Sequence, residues 1–109
     1  MNTFKEYQDL SKTTAIYGRH KALEYVVCGL VSEAGEVAGK LKKIIRDSGD
    51  TMSEEQRQDM IKEGGDCIWY LSQLFTELGY DFGQAAQDNI DKLLSRKERG
   101  VLSGSGDNR

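Results

Sequence analysis

Two long stretches of this chain repeat one arrangement: apolar residues at helical spacing, bordered on one flank by two carboxylates three residues apart. The first stretch holds Glu33-Ala-Gly-Glu36 and the second Glu63-Gly-Gly-Asp66. Residues i and i+3 share one side of a helix, so each pair projects from a single flank. With Glu33 at zero on a wheel of about 100° per residue, Val27, Leu30, Ala34, Val37, Leu41, Ile44 and Ile45 fall between roughly 20° and 120°. Glu36 lies on the other side of zero. With Glu63 at zero instead, Met60, Cys67, Ile68, Leu71, Leu74, Phe75 and Leu78 occupy nearly the same arc, and Asp66 stands where Glu36 stood. Antiparallel packing of the two stripes would bring four acids together at the edge of a core, open to water and to a ligand.

Four carboxylates so close repel one another and raise each other's proton affinity unless a cation neutralises them. An all-oxygen donor set without His or Cys favours a hard divalent ion, Mg2+ or Mn2+, over zinc or copper. Mg2+ in turn commonly shares its shell with substrate phosphates. Either pair alone reads as solvated helix surface; the repetition at matching wheel positions favours a metal site for Glu33, Glu36, Glu63 and Asp66.

The remaining punctuation predicts four helices. Thr3-Phe-Lys-Glu6 has the form of a capping box and opens a first helix running toward Tyr17, with Gly18 as its stop and Phe4, Tyr7, Leu10 and Thr14 facing inward. The second runs from about Lys21 to Arg46 and is broken by Asp47-Ser-Gly-Asp-Thr51. Ser53-Glu-Glu-Gln56 is a second capping box; its helix extends to Leu78, with Gly79 as the cap. Asp81 caps the fourth helix, whose inner face reads Phe82, Ala85, Ala86, Ile90, Leu93 and Leu94. Gly64 and Gly65 interrupt the third helix at a cost near 1 kcal/mol each, which suggests close helix approach beside the acids, with Gly35 in the same role opposite. Trp69 lies well outside the apolar stripe and reads as a subunit contact, with base stacking as the sharper alternative.

Positive groups near the acids are candidate phosphate ligands. Lys40 follows Glu36 by one turn; it serves either the helix C-terminus or a phosphate. Asn89, Lys92 and Arg96 follow one another at three- and four-residue spacing along one ridge of the fourth helix. From Gly100 the chain becomes a glycine- and serine-rich tail without periodicity. It reads as a disordered end, or as a segment whose Asp107 and Arg109 fold over a nucleotide. The domain expectation is therefore a helical unit over 1–99 and a tail over 100–109.

Two segments also resemble the motif of the all-α nucleoside triphosphate pyrophosphohydrolases, the MazG-like superfamily: Gly29-Leu-Val-Ser-Glu-Ala-Gly-Glu36 and Glu63-Gly-Gly-Asp-Cys-Ile-Trp-Tyr70. Asn89, Lys92 and Arg96 match its N-x-x-K-x-x-x-R element, and the resemblance runs from about Phe4 to Arg96. Ser32 departs from it, since many members carry a further Glu there. The resemblance implies a four-helix bundle and Mg2+-dependent hydrolysis of a nucleoside triphosphate at the α-β bond, giving the monophosphate and pyrophosphate. The four acids would hold metal, Glu33 would activate water, and Lys92 and Arg96 would bind phosphates. Alternatives within the superfamily are enzymes dedicated to dUTP, dCTP or phosphoribosyl-ATP; outside it stands a non-catalytic helical interaction protein, disfavoured by the complete acid set.

Length and composition bound the rest. One domain with a modest core fits in 109 residues, and chains of this size often gain stability by association, so a homodimer or homotetramer is expected. A net charge of −3 offers no broad footprint for nucleic acid. No apolar run reaches membrane-spanning length, and Cys28 and Cys67 sit at no metal-ligand spacing, which together suggest a cytoplasmic chain with reduced thiols. The single His20 stands in neither acidic motif, which argues against di-iron carboxylate and histidine-aspartate chemistries.

Overall fold

The computed structural model describes residues 1–49 and 51–109. Asp50, part of the expected break after the second helix, lies outside them. The described residues form four helices and no strand: α1 Phe4–Lys12, α2 Ala22–Ser48, α3 Glu54–Glu77 and α4 Phe82–Glu98. The all-α expectation holds.

Local chemistry sets most of the boundaries. Ser53 and Gln56 form a complete capping box on α3. Thr3 accepts from the Glu6 amide and Asp81 from the Gln84 amide. The α3 stop is a Schellman turn: Gly79 takes φ 68°, its N–H bonds Thr76 O, and the Tyr80 N–H bonds Phe75 O. One boundary differs from expectation. Helix α1 ends at Lys12 instead of near Tyr17, because the hydroxyls of Thr13 and Thr14 bond the carbonyls of Leu10 and Ser11 and compete with helix continuation.

Helix α3 is the hub. It pairs along its length with α2, while α1 packs on another of its faces and also reaches α4. The α1–α3 seam is polar. Gln8 and Ser11 are the buried residues of α1, and Phe4 and Leu10, expected to face inward, are exposed. Gln8 donates to Thr76 Oγ1 and Tyr80 O and accepts from the Phe82 amide. Ser11 Oγ lies 2.8 Å from Ser72 Oγ and accepts from Gln73 Nε2 at 2.9 Å. Such a seam is specified by hydrogen-bond geometry, which apolar periodicity does not reveal.

The apolar core is small. Ala22, Val26, Ile44 and Phe82 are its buried hydrophobic members. Phe82 stacks on Phe4 at 4.7 Å and meets Tyr7 and Phe75, anchoring the start of α4. The expected inner face of α4 continues only to the half-buried Ala85 and Ala86: Ile90, Leu93 and Leu94 are exposed. On α2 the half of the stripe next to the acids is covered, whereas Val27, Val31, Leu41 and Ile45 stay open. The radius of gyration is 17.0 Å, against about 13 Å for a compact domain of this length. The surface area of 7801 Å² likewise exceeds the roughly 6,100 Å² of a compact chain of equal mass. No helix among the described residues is long and apolar enough to cross a membrane.

Candidate metal centre and its aromatic wall

The α2–α3 pairing brings carboxylates together across the helix seam. Glu33 of α2 and Glu63 and Asp66 of α3 each place an oxygen within 4.8 Å of the other two. Glu36 is exposed one turn further along α2 and adds its field to Glu33 without joining the three. Glu33 holds its proton more tightly than an ordinary carboxyl. Desolvation is the main cause, followed by the charges of Asp66 and Glu63, a hydrogen bond shared with Glu63, and Glu36. Burial, then the three clustered acids, also pushes the Cys67 thiol up. The three clustered donors are all carboxylates, a set of hard oxygens, which fits Mg2+ or Mn2+.

Lys40 stands at this centre, its Nζ 3.9 Å from Glu63 Oε1. The other expected phosphate ligands lie elsewhere. Asn89 and Lys92 line a separate cavity of ≈ 590 Å³ with Phe75, Leu78 and Tyr80. Arg96, expected on the exposed ridge with them, is buried and donates through Nη2 to Asp107 O at 2.8 Å. It is covered because the chain reverses at Gly100 (φ 72°) and folds 101–109 back over the end of α4. Arg109 holds that fold together by donating to the carbonyls of Val101, Leu102 and Gly106, and Asp107 is exposed.

The structure adds aromatic residues that the stripe did not include. A cavity of ≈ 330 Å³ is lined by Glu33, Asp66, Trp69 and Tyr70. Trp69 is half-buried within the chain. Its indole N–H donates to Thr14 Oγ1 at 2.8 Å, and its ring meets Tyr17 and Tyr70 edge-on at 6.2 and 5.0 Å. Tyr17 stacks on Tyr25 at 5.1 Å and donates to Glu77 Oε1, which also receives Arg19. The signal was available: Trp69 and Tyr70 stand three and four residues after Asp66, hence on its side of α3. From α1, the Tyr7 hydroxyl is held above its ordinary range by burial and by Asp66.

The close approach beside the acids is at Gly29, not at the expected glycines. A Cβ on Gly29 would overlap the ring of Tyr70, whereas one on Gly35, Gly64 or Gly65 would meet nothing within 4 Å.

The family model for the MazG nucleotide pyrophosphohydrolase domain matches residues 21–101. The chain belongs to this family. The match covers α2, α3 and α4, and so both acid pairs. Among relatives of this MazG-family chain, the Gene 37 protein of Mycobacterium phage L5 is 46% identical over 109 residues, covering 94% of this chain and 96% of that one. No solved structure matches the chain.

Proposed function

We propose that this MazG-family chain is a Mg2+-dependent nucleoside triphosphate pyrophosphohydrolase: water adds at the α-β phosphoanhydride, and the products are the nucleoside monophosphate and pyrophosphate. The observation that carries the reading is the convergence of Glu33, Glu63 and Asp66 from two helices onto one point. Glu33, Glu63 and Asp66 would hold the cation, and Glu36, exposed one turn further along α2, would add a further carboxylate. When bound, a divalent ion neutralises phosphate oxygens and acidifies water in its shell. Glu33, which shares a cavity with Asp66, Trp69 and Tyr70, would orient the attacking water and take its proton. Lys40 turns from Glu63 toward the phosphates and stabilises their charge. Asn89, Lys92 and Arg96 have no part in this arrangement within one chain, nor do Asp107 and Arg109.

The open apolar half of α2 and the exposed end of α4 are covered by a second copy, giving a homodimer or homotetramer. The excess surface of this chain over a compact one supports that reading. Sedimentation velocity tests it; a monomer at all concentrations refutes it.

The activity is tested by separate assays for pyrophosphate and orthophosphate across canonical and modified ribo- and deoxyribonucleoside triphosphates, with and without Mg2+, and with Glu63→Gln as control. Metal-dependent pyrophosphate release lost in the variant is expected. Turnover confined to dUTP, dCTP or phosphoribosyl-ATP would narrow the substrate, orthophosphate alone would refute the bond assignment, and no turnover would favour a non-catalytic role.

A further inference from the structure

Arg96 is buried without a counter-charge. It is 7% exposed, yet among the described residues it forms no ion pair, and the bond from Nη2 to Asp107 O, at 2.8 Å, is its one side-chain hydrogen bond. Its Nε, on the same edge of the guanidinium, is buried with no partner. Arg46 shows what that edge takes when it is satisfied: its Nε and Nη2 grip the two carboxylate oxygens of Asp47 at 2.7 and 2.8 Å. On Arg96 a single neutral carbonyl oxygen sits where two anionic oxygens fit, and a buried charge left so is costly. What covers Arg96 is weakly built. The backbone turns at Gly100, Gly104 and Gly106, all at positive φ, and residues 102–108 are exposed. Arg96 and Arg99 tether the far end of the segment through the backbone oxygens of Asp107 and Arg109, and Arg109 closes it by donating to the carbonyls of Val101, Leu102 and Gly106. Apart from the turn at Gly100, every hydrogen bond holding the segment among the described residues therefore comes from an arginine.

We propose that segment 101–109 is a displaceable strap: the Asp107 carbonyl holds the Arg96 guanidinium in place of a phosphate group, and a phosphate-bearing anion that takes the Nε–Nη2 edge releases the segment. The ligand class follows from the edge. A phosphate presents two charged oxygens to the planar fork and makes two parallel bonds where the carbonyl makes one. Lys92 and Arg99 stand one turn to either side of Arg96 on the same ridge of α4 and add positive charge to the uncovered site. None of the carboxylates of α2 and α3 takes part, so the strap stands or falls apart from the pyrophosphohydrolase reading.

The test uses the full chain, kept free of Mg2+ with EDTA so that no cation occupies the carboxylate cluster. It is titrated at constant ionic strength with inorganic pyrophosphate and, separately, with the α,β-methylene analogue of ATP, while the amide signals of Gly104, Gly106 and Asp107 are followed by heteronuclear NMR. These signals should move together and saturably toward the positions of an unstructured chain. A response to pyrophosphate alone identifies the free anion as the ligand, and a response to the analogue alone identifies the phosphate chain of a nucleotide; either supports the strap, and a response to neither overturns it. An equal response to sodium chloride also overturns it, since that would be charge screening. Arg109→Ala removes the bonds to Val101, Leu102 and Gly106 without touching Arg96, and it should raise the affinity for the anion about tenfold. Arg96→Lys keeps the charge and loses the fork, and it should lower that affinity about tenfold. Unchanged affinity in either variant refutes the proposal, and the titration of the unaltered chain decides it even where a variant does not fold.

Discussion

Replacing Gly29 by alanine tests the geometry of the site with one methyl group. In an unobstructed helix interior, Gly→Ala is stabilising by about 1 kcal/mol, because the backbone loses less freedom on folding. At Gly35, Gly64 and Gly65 nothing lies within 4 Å of the new Cβ, so each of these substitutions should show that gain. At Gly29 the Cβ would overlap three ring atoms of Tyr70, a half-buried side chain lining the acidic cavity. Overpacking of that kind costs about 1–3 kcal/mol, so Gly29→Ala should fall below the Gly64→Ala control by that amount. In thermal unfolding the gap should appear as about 4–8 °C per kcal/mol. Adding Tyr70→Leu should remove the penalty, giving a double-mutant coupling of about 1 kcal/mol or more. If Gly29→Ala is as stabilising as its controls, the packing of Tyr70 on α2 is wrong, and with it the shape of the wall beside Glu33.

Three further perturbations address the rest of the molecule. The Glu77 carboxyl is held below its ordinary range, first by its hydrogen bond from Arg19, and Tyr17 beside it is raised to about 12 by burial and by Glu77. The Glu77 contribution is therefore complete above its unfolded-state pKa and lost as pH falls through the folded one. The Tyr17 contribution is complete below 10.0 and lost as pH rises toward about 12. Urea midpoints should fall at both ends, and Glu77→Gln should flatten both flanks; an unchanged profile would refute the clasp. Gln8→Leu orphans the Phe82 N–H and the Tyr80 carbonyl, at a cost of about 1–3 kcal/mol, measurable by chemical denaturation, and a neutral result would contradict the polar seam. Mg2+ at a hundredfold excess over its dissociation constant should stabilise the chain by about 2.7 kcal/mol. That gain should vanish in Glu63→Gln, and equal stabilisation of both proteins would place the ion elsewhere.

The parts of this structure legible in the sequence are those written within a few residues of one another. Ser53 with Gln56 and Asp81 with the Gln84 amide involve atoms one turn apart, and the pairs Glu33/Glu36 and Glu63/Asp66 follow from helical spacing alone. What escaped depends on what meets a helix from outside. Ser72 and Gln73 are polar residues off the apolar stripe, yet they are fully buried because α1 brings Ser11 to meet them. No periodicity announces a buried serine whose partner is 61 residues away. The same reasoning explains Trp69. Its wheel position opposite the stripe gave no sign of a contact within the chain, a reading valid only for a helix with one buried face. Helix α3 has more than one: it meets α2 at Glu63 and Tyr70, and its polar side meets α1 and the segment after it. The acids sit on the border between these faces, and so does the aromatic wall. A site at that border inherits rigidity from both seams, which is why the hydrogen bond from Trp69 to Thr14 and the missing side chain at Gly29 bear on the same few side chains.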